Sequence, residues 1–107
     1  MNDFERAQQV ECGDSLFKDA IEDCNSGAFT KGFEKAVDAL EIFRSVNEKK
    51  RIAKTCRLLK GIDKQASFDV GDELKRRGIN FGEVCPKSDA EITRMIGAPF
   101  ADSNSQP

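Results

Sequence analysis

The sequence predicts an all-α fold: a small bundle of about four to five short helices with a central helical hairpin. Apolar residues recur at spacings of three and four over most of the chain, and Gly, Asn and Ser punctuate the periodic stretches. No run of four or more residues alternates apolar with polar, so no strand is indicated. The 107 residues fit one domain, expected over residues 1–97, with residues 98–107 as a disordered tail rich in Ser, Asn and Pro.

Phe4, Ala7 and Val10 suggest an opening helical stretch that Gly13 breaks or kinks. Leu16, Phe17, Ala20, Ile21 and Cys24 form the next amphipathic helix, capped by Asp14 or Ser15 and stopped between Asn25 and Gly27. The clearest element follows. Phe33, Ala36, Val37, Leu40 and Phe43 line one helical face while Glu34, Asp38 and Glu41 line the other, with Thr30 near the start. Ile42 and Val46 fall off this stripe and are expected to be surplus apolar surface.

Asn47 is a good N-cap for a helix reaching to Gly61, whose apolar stripe of Ile52, Cys56 and Leu59 would pack against the preceding helix as the central hairpin. Lys50, Lys54 and Arg57 fall on its opposite side. Ser67 is expected to cap a short helix through Val70 and Leu74, closed by Gly78, and residues 79–86 to form a loop. Ser88 and Glu91 make a capping box for a last helix stopping at Gly97. The segment Ser88-Asp-Ala-Glu-Ile-Thr-Arg-Met-Ile-Gly97 resembles the first helix of a bacterial helix-turn-helix. That resemblance implies a recognition helix next, whereas residues 98–107 are acidic and poor in helix formers.

Charge is sorted along the chain. Residues 1–43 hold ten acids and four bases, residues 44–64 two acids and eight bases, and the remainder seven acids and five bases, so the net −2 sums −6, +6 and −2. A basic element so placed must face the acidic part of its own chain, a second copy, or an acidic partner. Nucleic acid is one such partner, but an overall pI near 5.2 and the lack of Tyr, Trp and His to stack on bases weigh against it.

Catalysis has little to rest on. With no histidine, the usual general base and the usual activator of a nucleophile are missing. The acids Asp19, Glu22 and Asp23 read as an exposed helical face on which nothing separates their pKa values. The four cysteines lack a Cys-x-x-Cys pair, so reduced thiols are expected and no metal or other cofactor is indicated. Cys24 and Cys56 lie on apolar stripes, whereas Cys12 and Cys85 look more exposed. No apolar run approaches a membrane span and the first ten residues lack a signal-peptide pattern, so a cytoplasmic location is expected.

The expectation is a non-enzymatic regulator, acting as a homodimer, that binds a larger protein such as a transcription factor and inhibits it by occupying its interaction surface. Ile42, Phe43 and Val46 would be the apolar anchors, and Lys50, Lys54 and Arg57 would steer encounter. The alternative is a nucleic-acid-binding regulator using the basic helix around residues 49–60.

Overall fold

A computed structural model describes residues 2–85 and, beyond them, positions 90 and 94. Among these residues the chain is helical without strands: α1 (Asp3–Asn25), α2 (Phe29–Ser45), α3 (Lys49–Gln65), α4 (Val70–Arg76) and α5 (Phe81–Val84). The bundle expected from the periodicity is therefore the observed architecture. The proposed helix at 88–97 and the proposed tail at 98–107 lie outside the described residues, apart from Ala90 and Arg94, which are helical and exposed.

α1 is one continuous helix, not two segments meeting at Gly13. Its start is a capping box in which the Glu5 backbone N–H donates to Asn2 Oδ1 at 2.8 Å and the Asn2 N–H donates to Glu5 Oε1 at 3.1 Å. Gly13 is buried in the middle because the Phe43 ring lies on it. A Cβ at position 13 would stand 2.5 Å from Phe43 Cε1 and 2.9 Å from Cζ. At the other end of the same seam, a Cβ on Gly32 would stand 2.5 Å from Cys24 Sγ and 3.0 Å from the Ala20 carbonyl. Gly32, Ala36, Ala39 and Phe43 form one stripe of α2 by their spacing, so α1 and α2 pack antiparallel at close range. The tightest hairpin is thus α1 with α2, where the sequence pointed to α2 with α3; those two also pack.

The second stripe of α2, Phe33, Val37 and Leu40, joins Cys56, Leu59 and Ile62 of α3 with Val70, Leu74 and Ile79 in the main core. Phe33 meets Phe68 edge to face at a centroid distance of 5.3 Å, and the Arg77 guanidinium lies 5.4 Å from the Phe33 centroid.

Three helix ends share one closure. The N–H groups of Gly27 and Ala28 donate to the carbonyls of Cys24 and Asp23, those of Asn47 and Glu48 to Arg44 and Phe43, and those of Gly78 and Ile79 to Lys75 and Leu74. In each the pivot has positive φ: +87° at Gly27, +58° at Asn47 and +79° at Gly78. Asn47 therefore ends α2 and does not cap α3, because its short polar side chain tolerates the left-handed region better than most non-glycine residues. The same turn folds Val46 into the interior, so this residue is buried and not surplus surface.

α3 continues past Gly61 because Ile62 belongs to the core and Asp63 Oδ1 accepts the Val70 N–H at 3.0 Å across the connection. Asp69, not Ser67, caps α4 by accepting from the Asp72 N–H at 3.1 Å. The expected loop at 79–86 contains α5, begun by Asn80 accepting from the Glu83 N–H at 3.2 Å. Cys85 is buried and forms a disulfide with Cys56, the Cα atoms 5.6 Å apart, which corrects both the expected reduced pair and the expected exposure of Cys85. The bridge ties the end of α5 to the middle of α3 across 29 residues of sequence.

Gly13→Ala should destabilise by about 1 kcal/mol net, because overpacking of roughly 1–3 kcal/mol exceeds the gain in helix propensity of about 1 kcal/mol. Gly61→Ala, whose Cβ would meet nothing within 4 Å, should stabilise by about 0.5–1 kcal/mol. Opposite shifts in urea midpoint are expected; equal shifts would contradict the seam. Cys85→Ser should lower stability by about 2–4 kcal/mol, the range for releasing a loop of this size, while far-ultraviolet circular dichroism shows helix content retained.

Candidate partner-binding surface

α1 and α3 lie side by side on the flank of the hairpin, and a chain of opposite charges clamps them. Arg51 spans the gap with two contacts to Asp14, Nε to Oδ1 at 2.8 Å and Nη2 to Oδ2 at 3.1 Å. Its Nη1 donates to Glu48 Oε1 at 2.8 Å, and Glu48 Oε2 accepts from Arg6 Nη2 at 2.8 Å. Hydrogen bonds from Arg6 and then Arg51 hold the Glu48 carboxyl below the usual glutamate range. The hydrogen bond to Asp14 is the main reason the Arg51 guanidinium is raised further and stays charged. Arg51 of the basic segment is thereby satisfied by Asp14 of the acidic one, while Arg6 and Glu48, minority charges in their own segments, satisfy each other. Lys35 and Asp23 form a second link, between α2 and α1, at 2.8 Å, and that hydrogen bond raises the Lys35 ammonium.

Beside the clamp is a depression of about 370 Å³ lined by Asp14 and Phe17 of α1, Phe43 of α2, and Lys50, Arg51 and Lys54 of α3. Its floor is apolar and its α3 rim basic. Phe17 is half-buried, and Ile21, one turn further along α1, is 36% exposed. Lys50 and Lys54, also one turn apart, are exposed and form no ion pair among the described residues. Arg57 is half-buried and lines a different depression with Cys24, Phe29, Leu58 and Ile62.

The six residues singled out from sequence thus separate. Lys50 and Lys54 share one exposed rim, Arg57 is set apart from it, and Ile42 is half-buried outside the depression. Phe43 and Val46, expected as apolar anchors, are buried, and Phe43 serves as the depression's floor. Their stripe assignments had left out the turn at Asn47 and the contact with Gly13. Sequence reasoning passed over Phe17 and Ile21, although their spacing of four on an amphipathic helix was the available signal.

Among the described residues no group of His, Cys, Asp and Glu is placed to hold a metal ion. The acids Asp19 and Glu22 are exposed, as expected, while Asp23 is half-buried and paired with Lys35. Burial, with Asp23 beside it, pushes the Cys24 thiol up, away from the thiolate a nucleophile needs. No helix among the described residues is long and apolar enough to cross a membrane. Comparisons with protein-family models, with curated proteins and with solved structures find nothing that matches the chain.

The clamp predicts an acid-sensitive component of stability. Glu48 has a lowered pKa in the folded chain, so its contribution is fully present above the ordinary value of 4.5 and is lost as pH falls through that value to the depressed one. Glu48→Gln should therefore cost stability at neutral pH and make the urea midpoint less dependent on pH below about 5. An unchanged acid limb would contradict the clamp.

Proposed function

We propose that this protein is a small non-enzymatic regulator that binds a larger protein partner, such as a transcription factor, and inhibits it by occupying its interaction surface. The observation that carries the reading is the α1–α3 groove, where half-buried Phe17 lines one depression with Lys50 and Lys54, which have no ion-pair partner among the described residues, and Ile21 is exposed one turn further along α1. Apolar side chains of this kind supply affinity once covered, and neighbouring charges speed encounter and select the partner. The missing histidine and the raised Cys24 thiol agree with binding more than with catalysis.

A second reading, nucleic-acid binding along α3, draws on the same exposed lysines. It is disfavoured by the acidic total and because Arg51 is occupied by Asp14 and Glu48. Salt separates the two readings. Three phosphate contacts would lose about 500-fold in affinity over a tenfold rise in salt. An interface anchored on Phe17 and Ile21 should lose less than about tenfold, because screening reaches only its rim charges. The test is capture of partners by the full chain from its own cells at low and high salt, with mass spectrometry and nucleic-acid staining. Specific protein retained across both salts is the expected result. Retention of nucleic acid at low salt alone would contradict it.

A further inference from the structure

We infer that the α1–α3 groove takes one kind of partner: an acidic amphipathic helix, whose apolar stripe covers Phe17 and Ile21 and whose carboxylates meet Lys50 and Lys54. The inference rests on the protein-binding reading and adds the partner's chemistry to it.

Charge complementarity selects the sign. The Arg51 guanidinium is already neutralised by Asp14 and Glu48, whereas Lys50 and Lys54 form no ion pair among the described residues and are exposed along one rim. Lys18, one turn beyond Asp14 on α1, is also exposed. A basic segment laid here would meet two or three ammonium groups; an acidic one would meet carboxylate-to-ammonium pairs on the rim.

Spacing selects the shape. Lys50 and Lys54 are four residues apart on α3, as are Phe17 and Ile21 on α1, so each pair forms a row of side chains about 6 Å apart on its own helix. A partner helix with acids four residues apart, and leucine or phenylalanine on the adjacent stripe, matches both rows at once. An extended segment would leave its backbone N–H and C=O groups facing two helices whose own backbones are already paired, with no strand edge among the described residues to receive them. The depression of about 370 Å³ beside Phe17 has room for a large apolar side chain of that helix.

The test uses the full-length chain labelled with nitrogen-15 and a synthetic alanine-based helical peptide. The peptide carries glutamates four residues apart on one flank and leucines on the adjacent stripe. Titration should shift amide resonances around Phe17, Ile21, Lys50 and Lys54. Lys50→Glu combined with Lys54→Glu should weaken binding at least about tenfold, the loss expected for reversing rim charges that meet carboxylates. Both lysines are exposed, and circular dichroism of the double variant checks that it folds. A matched peptide with lysine in place of glutamate should not bind.

Shifts spread over other faces, or an unchanged affinity in the double variant, would overturn the inference. So would an oligonucleotide that moves the same resonances more tightly than the peptide, or shifts there on concentrating the protein alone, which would assign the groove to a second copy. If the double variant still captures the cellular partner, that partner binds elsewhere and only the groove's role falls. If the wild type captures no protein at all, the binding function falls with it.

Discussion

The contact between the Phe43 ring and Gly13 is the constraint on which the remaining geometry depends. Gly13 lies within a continuous helix and needs no unusual φ, so what it supplies is the absence of a side chain. Phe43 is almost wholly buried yet stands outside the main apolar cluster, and so fills the end of the bundle where α1, α2 and α3 meet. With Gly32 against Cys24 and Ala20 at the other end, two glycines set how near α1 and α2 approach. Interiors are packed densely enough that one methyl group at either site would move a helix or a ring.

Once α1 is held that closely, its position relative to α3 follows. Asp14 is one residue beyond Gly13, and it meets Arg51, which also holds Glu48 and through it reaches Arg6. Of the sorted charges, the clamp joins Arg51 of the basic segment to Asp14 of the acidic one. Exposed ion pairs contribute little each, so the clamp acts more on the register of two helices than on total stability. It also explains why only part of the basic segment stays available: Arg51 is occupied, Arg57 is set in another depression, and Lys50 with Lys54 is left on the rim. The proposed function is a consequence of what the fold leaves over.

The all-α class and the α2 stripe were legible because burial on one helical face imposes its period on the residues themselves. The stops at Gly27 and Gly78 were legible for a local reason too, since both need positive φ. Gly13 was misread as a break because a glycine needed for close approach looks the same in one dimension as one needed for a turn. Its place on a continuing row with Val10, Phe17, Ala20 and Cys24 was the available signal. Asn47 was similarly ambiguous between capping a helix and ending one. The pairing of Cys56 with Cys85 depends on how α5 returns to α3, which no local pattern encodes. Of the binding surface, the lysines were read from spacing, but the apolar half was assigned to α2, whose stripe is consumed by the core, and not to Phe17 and Ile21.

The most direct measurement is a double-mutant cycle on the seam, comparing Gly13→Ala in the wild-type background and in Phe43→Leu by urea unfolding. If the ring on the glycine sets the packing, the alanine that destabilises the wild type should be neutral or stabilising once the ring is gone, giving a coupling of about 1 kcal/mol or more. Additive effects of the two substitutions would show that Gly13 and Phe43 do not depend on each other, and the account of how α1 is placed would fail.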